Sequence, residues 1–528
     1  MTMQRLRAAA LRRSAVVVLI ALVAPAGSPA PCAARQQGSA PAAAIAAQEG
    51  IVSTRHSIVL NGRPLAYTAH AGLLPIRVND TGAVHAHMFF VAYTVETGSN
   101  AARRPLTFLW NGGPGSNATL VHVDGFGPKR LDPRPPPGAH RIALLDNATT
   151  WLDETDLVFV DPVGTGYSRA ADTTYHAEFF NTLGDIASVA EFVRVWLTRF
   201  DAWDAPLFLA GESYGTWRAA GIAESFARRG IDVAGVILIS GGIPVGDVVS
   251  DAMRAALFIP ARSAAAFHHG KLTADPGGDL ASTLRTVEQW ARTVYAPALE
   301  RRDSLSPAER RELASALARY TGLDPSDIDS DTLVVRRQWF AERLLGGDSV
   351  LGRFDTRRAT AGGASGTRAG ARTRTIIDYF RNQLGFRTDL AYQGLETGFT
   401  PPIGRRVTAS VGARWNYNQN PPASEAEAAA RRSGLRPLVW EGPPNGSEPW
   451  LLRAMTIDSG LRAFVVTGMY DSLNSCAFNA HLASALERSI AARVTTACHV
   501  GGHMMYEDEE TRVRLKDDIV AFIRTARR

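Results

Sequence analysis

The chain has 528 residues, 45% of them hydrophobic and 20% charged, a balance that excludes a mostly disordered chain and supports a large core. Its net charge is +6, yet nearly all the basic residues are arginine, with lysine only at Lys129, Lys271 and Lys516. No basic stripe interleaved with aromatics accompanies that charge, so no nucleic-acid partner is expected. The 47 glycines and 29 prolines are dispersed, which excludes collagen-like and low-complexity classes.

Residues 1–13 carry Arg5, Arg7, Arg12 and Arg13 and no acid; 14–24 are a short apolar run; small residues and prolines follow through Ala34. This order reads as a secretory signal over 1–34, removed after export. The apolar run is well short of the ~20 residues that span a bilayer, so no stable membrane insertion is expected after its removal. Ala26 and Ala30 both fit a cleavage position. Cys32 raises a lipidated alternative, against which Pro31 counts, and Arg12-Arg13 a twin-arginine one. The expected location is secreted or periplasmic. Residues 35–50 are Ala-rich and read as a linker.

From 51 to 93, short β-rich runs alternate with turns, and Asn61-Gly62 is a hairpin signal. Buried strands are expected at 106–110 and 157–160, a helix at 179–200, a strand at 207–210, a helix at 217–229 and a strand at 233–240. Strand, loop and helix alternating in this way predict an α/β fold with a mostly parallel central sheet flanked by helices. From 246 to 440 helical stretches dominate, as at 282–301 and 307–320, interrupted by Gly-rich loops such as 361–371. This reads as an inserted, largely helical cap. Strands return at 462–467 and 493–496, and a last helix runs over 510–524. The division is therefore a core in two parts, 51–245 and 441–528, with the cap between them.

Gly211-Glu212-Ser213-Tyr214-Gly215 lies between a predicted strand and a predicted helix, the required setting of a G-x-S-x-G nucleophile. Small residues flank Ser213 because the turn is strained and crowded. A serine nucleophile needs a base and an acid that orients the base. Asp471 follows the 462–467 strand and His503 follows the next one, in the chain order Ser, Asp, His. His499 is the rival base and Asp458 the rival acid; Asp458 precedes its strand, and Gly501-Gly502 give His503 the longer reach. His499 and His503 stand four apart, but their Gly-rich connection and the lack of an acidic partner motif argue against a metal. No metal or cofactor is expected.

Four stretches then carry a resemblance: Trp110-Asn111-Gly112-Gly113-Pro114-Gly115-Ser116, Asp161-Pro162-Val163-Gly164-Thr165-Gly166-Tyr167-Ser168, the Ser213 elbow, and the Asp471 and His503 loops. With these the chain resembles the serine carboxypeptidases, a branch of the α/β-hydrolases. The resemblance implies an α/β-hydrolase fold and a Ser213-His503-Asp471 triad. It implies an oxyanion hole from the N–H groups of Gly113 and Tyr214. It also implies a site for the substrate's terminal carboxylate formed by Asn111, Gly112 and Glu212. An ionised Glu212 would repel that carboxylate, so it should be protonated when it works, giving an acidic optimum on peptides. The implied activity is removal of residues from peptide or protein C-termini through an acyl-enzyme; an esterase or acyltransferase on the same triad is the alternative.

The sequence departs from the family at three places. Ser116 stands where cysteine is common. Gly125 stands where a second acid usually partners Glu212, with Asp124 as a neighbour that could substitute. Gly215-Thr216 follows the elbow in place of the commoner Ala-Gly. Side-chain preference is expected from the cap and from residues near Gly166-Tyr167. Cys476 and Cys498 are either bridged, closing a loop worth ~3 kcal/mol in the chain-entropy model, or two buried thiols. Asn117, Asn147 and Asn445 each begin a glycosylation sequon. Oligomeric state is not legible.

Overall fold

Asn61 and Gly62 close the first hairpin with φ of 50° and 75°. Two successive positive φ values match the right-handed twist of the strands they join. Those strands are β1 (Val52–Leu60) and β2 (Arg63–Arg77), paired antiparallel from Leu60 opposite Arg63 to Val52 opposite Ala71. The computed structural model describes residues 50–96, 103–272, 278–360, 366–396, 411–417 and 448–526. The signal, all of the linker but Gly50, and Asn445 lie outside the described residues.

The chain continues through β3 (Val84–Thr94), β4 (Leu106–Trp110), β5 (Lys129–Leu131), β6 (Leu144–Asp146), β7 (Asp156–Val160) and β8 (Arg169–Ala170). Then come β9 (Leu207–Glu212), β10 (Gly235–Ile239), β11 (Val350–Leu351), β12 (Ala359–Thr360), β13 (Arg462–Gly468) and β14 (Val494–His499). The main sheet runs β1-β2-β3-β7-β4-β9-β10-β13-β14, with β8 added against β3. From β7 onward every pairing is parallel; the β1–β2–β3–β7 side is antiparallel.

The central strands are buried on both faces, which is why they read as continuous apolar runs. Their side chains still sort with period two. Phe108, Trp110, Leu209, Leu238 and Val465 join one core cluster; Leu109, Phe208, Ile237, Phe464 and Val466 join the other. The first is covered by helices Thr182–Arg199, Gly215–Ala227 and Trp450–Ile457, the second by Glu509–Ala526. Asn181 starts the first of these helices by accepting the Gly184 N–H at 2.8 Å, a side-chain cap.

Between β10 and β13 the described chain is mainly helical and packs an apolar cluster of its own, with Val287, Tyr295, Leu313, Leu317 and Phe340 buried. The helix expected over 282–301 runs as Leu280–Trp290, a wider π turn Ala291–Tyr295, and Ala296–Glu300. Pro297, which has no N–H to give, stands two residues past the end of the π turn. β14 extends three residues past its expected end, so His499 is its last residue rather than part of the following loop. Cys476 and Cys498 form a disulfide with a Cα–Cα distance of 5.5 Å, tying helix Cys476–Ser484 to β14.

Two of the sequon asparagines are structural. Asn147 is buried and donates to the carbonyls of Gly125 and Gly127 at 2.9 and 2.8 Å. Asn117 donates to Gln393 O at 2.9 Å. Asn147 in its folded position offers no amide to a glycan.

Candidate active site

β9 ends at Glu212 and helix Gly215–Ala227 begins three residues later, so Ser213 occupies the turn. Its φ is 58°, a left-handed value that a non-glycine residue holds only under local constraint. The turn is so tight that a Cβ added at Gly211 would lie 1.9 Å from Gly215 O. This strand–elbow–helix on a mostly parallel sheet is the α/β-hydrolase arrangement.

Loop residues after β4 press against the same turn. A Cβ at Gly112 would lie 2.5 Å from Tyr214 N and 2.9 Å from the Ser213 Cβ, so only glycine permits this approach. Ser213 N donates to Ile239 O at 2.8 Å. Among the described residues nothing accepts from the N–H of Gly112, Gly113 or Tyr214, and all three residues line the cavity that contains Ser213. A buried ion pair locks this frame. Arg218 meets Asp185 through two bonds of 2.8 and 3.1 Å and donates to Asn111 O at 2.9 Å, while Tyr214 OH donates to Asp185 at 3.3 Å. The sequence reading missed Arg218 and Asp185; a lone arginine inside the apolar helix 215–227 was the available signal.

Asp471 follows β13, and its Oδ2 lies 2.8 Å from His503 Nδ1. Both residues are buried. Asp471 is itself held by the Leu473 N–H at 2.9 Å and the Asn474 amide at 2.8 Å. The His503 backbone is fixed from two sides, its N–H donating to Phe354 O and its carbonyl accepting from Ser240. Burial disfavours the charged imidazole, but Asp471 and its hydrogen bond, aided by Glu212, outweigh this and hold the His503 pKa above its usual value. No hydrogen bond joins Ser213 to His503 among the described residues, although both line one cavity. Such bonds are often long in free enzymes and tighten with substrate. The rivals point elsewhere: His499 bonds Asp518 at 2.9 Å, and Asp458 accepts from the N–H groups of Gly460 and Leu461.

Glu212 is buried beside Ser213. Asn111 Nδ2 donates to its Oε1 at 3.0 Å and the Tyr506 hydroxyl donates to its Oε2. Burial raises its pKa to about 7, against the lowering effects of His503, Tyr506 and Asn111; Glu507 adds to the rise. Tyr506 occupies the space beside Gly125, whose added Cβ would sit 3.7 Å from the ring. Asp124 does not substitute there: it pairs with Arg372. The partner of Glu212 is thus a neutral phenol, which the sequence did not reveal because the two residues are 294 positions apart.

These groups line a cavity of about 1090 Å³. Its far wall comes from the helical segment between β10 and β13, including Arg254, Phe258, Arg262 and Trp339. Gly166 and Tyr167 are not in the wall. Tyr167 is buried edge-on against Phe89 and Tyr392, and Asp161 accepts from Ala118 N and Tyr392 OH, so this motif braces loops rather than selecting substrate. Among the described residues no cluster of three or more metal-ligating side chains occurs, and no helix is long and apolar enough to cross a membrane.

Residues 61–244 match the family model described as serine carboxypeptidase. A pheromone-processing carboxypeptidase of Aspergillus niger is 29% identical over 174 residues, 32% of this chain and 26% of that protein. Serine carboxypeptidase-like 44 of Arabidopsis thaliana is 33% identical over 161 residues, 29% of this chain and 30% of that protein. The matched stretches thus span about a third or less of either relative. A prohormone-processing carboxypeptidase structure from Saccharomyces cerevisiae overlays with a TM-score of 0.48 at 14% identity, covering 87% of this chain and 91% of that one.

Proposed function

We propose that this chain, which belongs to the serine carboxypeptidase family through residues 61–244, removes C-terminal residues from peptides through an acyl-enzyme on Ser213. The observation that carries the reading is Glu212, buried next to Ser213 in sequence and hydrogen-bonded by Asn111 and Tyr506, where burial pushes its pKa up to about 7. A triad alone fits many hydrolases. A carboxyl kept neutral beside it fits a ligand that brings its own carboxylate.

Ser213 Oγ attacks the scissile carbonyl carbon while its proton passes to His503 Nε2. Asp471 holds the Nδ1 proton and stabilises the imidazolium. The oxyanion takes the unoccupied N–H groups of Gly113 and Tyr214, donors that need no reorganisation because the Arg218–Asp185 pair fixes their frame. His503 then gives its proton to the leaving amine, and the C–N bond breaks. Water, deprotonated by His503, cleaves the resulting ester. The terminal carboxylate of the peptide accepts hydrogen bonds from the Asn111 amide, the Gly112 N–H and protonated Glu212.

Protonation of Glu212 also acts on the base. Ionised Glu212 raises the His503 pKa, so a neutral Glu212 frees the imidazole to act at lower pH. The two groups therefore titrate as a coupled pair. We place the protein outside the cytoplasm, exported by the signal at 1–34 and working in a secreted or periplasmic setting.

The test is a pH profile with matched substrates. For peptides with a free C-terminus, KM rises as pH passes about 7 and Glu212 ionises, by about tenfold per pH unit once titration is complete. C-terminally amidated peptides and small esters show no such rise. Glu212→Gln, neutral at every pH, flattens the profile for free acids. Free-acid kcat/KM that keeps climbing above neutral pH would remove the carboxylate-binding role and leave an esterase or acyltransferase on the same triad.

Tyr506→Phe has the less obvious sign. The phenol donates to Glu212 and so favours the ionised form; without it the carboxyl stays protonated to higher pH. The rise in peptide KM then moves up by about one pH unit, the scale of one such hydrogen bond. A shift to lower pH would show that Tyr506 does not set this titration.

A further inference from the structure

The cavity that holds the nucleophile is lined by several arginines. Arg254, Arg262, Arg336, Arg337 and Arg353 line it, against three carboxylates, Glu212, Asp251 and Glu342. Two of those carboxylates are already engaged: Asp251 lies 3.8 Å from Arg254, and Glu342 accepts from Gln338. Glu212 belongs to the far side, beside Ser213.

Three of these arginines, Arg336, Arg353 and Arg262, form no ion pair among the described residues, and of the three only Arg262 has a buried Nε without a hydrogen-bond partner. Arg262 is carried on helix Ile259–His268. Its Nε is buried with no hydrogen-bond partner, and its guanidinium lies 5.9 Å from the centre of the Phe258 ring. Arg254 Nε is buried without a hydrogen bond as well, but it has Asp251 as a counter-charge 3.8 Å away. Burial, with Arg337 nearby, lowers the Arg262 pKa to about 10, while Tyr295 opposes this. It therefore remains a cation at every working pH. A half-buried guanidinium whose Nε is shut off from water without an anion costs stability, a cost that a ligand supplying the missing partner offsets. The anion that fits is planar and bidentate, a carboxylate.

We infer that this wall selects peptides carrying a side-chain carboxylate, Asp or Glu, within their last three residues, with Arg262 receiving it. The inference rests on the carboxypeptidase reading above. The terminal carboxylate goes to Asn111, Gly112 and Glu212, so the arginines serve a second acidic group. Phe258 and Trp339, which also line the wall, accept the aliphatic stem of such a side chain.

The test uses hexapeptides with Glu or Gln placed singly at the last, penultimate or antepenultimate position. It is run at pH 6, where a substrate Glu is ionised and Glu212 is mostly protonated. At one position Glu exceeds Gln in kcat/KM by about tenfold or more, the scale of one charge-assisted hydrogen bond. Arg262→Gln brings that ratio close to one, and Arg262→Lys keeps part of it. If Arg262→Gln does not fold, the wild-type ratio and its fall at high salt still decide the matter. Glu/Gln ratios within twofold at all three positions, with trimming intact, overturn the inference alone. No trimming of any peptide, with Ser213-dependent ester hydrolysis retained, overturns the carboxypeptidase reading and this inference with it.

Discussion

Ser213→Ala lowers turnover of every substrate by about six orders of magnitude, the loss typical of removing the nucleophile from a Ser-His-Asp machine. The fold should tolerate the change. Ser213 is held by its backbone, through its N–H to Ile239 O and the packing of Gly211 against Gly215, and its hydroxyl makes no hydrogen bond among the described residues. The residue must still adopt a φ of 58°, which alanine bears no worse than serine to within about 1 kcal/mol. Unchanged thermal unfolding with lost turnover is the expected pair of results. Turnover within tenfold of wild type would show that the chemistry lies elsewhere.

Asp471→Asn is expected to cost about 10⁴ in turnover while leaving the protein folded. The carboxylate does two jobs at 2.8 Å from Nδ1: it fixes the tautomer with Nε2 free to accept a proton, and it stabilises the charge that forms. An amide in its place keeps the shape. It can present NH₂ to the ring and so leave the proton on Nε2, where it blocks the base. The Leu473 N–H can still find an oxygen, so the loop is retained. Stopped-assay turnover alongside thermal unfolding separates the two effects. A loss of activity that only follows a loss of folded protein would reduce Asp471 to a structural acid.

Much of this architecture was legible because its causes are local. Asn61-Gly62 demands positive φ, and a hairpin follows. The runs at 106–110 and 207–210 are apolar on both faces because both faces are covered. Gly211 and Gly215 bracket Ser213 because nothing larger fits. What the sequence concealed depends on residues brought together from afar. Tyr506 lies only three residues past His503, but its bond to Glu212 exists only once the loop after β14 folds back across the sheet to the end of β9, past β10 and β13. Asp124 looked available to Glu212 until Arg372, from a distant helix, claimed it. Residues near Gly166-Tyr167 read from the sequence as a source of side-chain preference, yet Tyr392 and Phe89 enclose the Tyr167 ring. The missing counter-charge at Arg262 is visible only as a pattern of absent partners among the described residues, which no linear reading contains.

The central claim is that a carboxyl held neutral beside a serine nucleophile turns a general hydrolase site into one that reads free C-termini. It is tested most directly by mass spectrometry of a mixed peptide library between pH 4 and 8. Each peptide is present as free acid and as C-terminal amide, with Ser213→Ala as the control. The account predicts stepwise loss of C-terminal residues from free acids, strongest below pH 7 and absent in the variant, with amides trimmed poorly. Equal trimming of acids and amides, or none of either while Ser213-dependent ester hydrolysis persists, would contradict it.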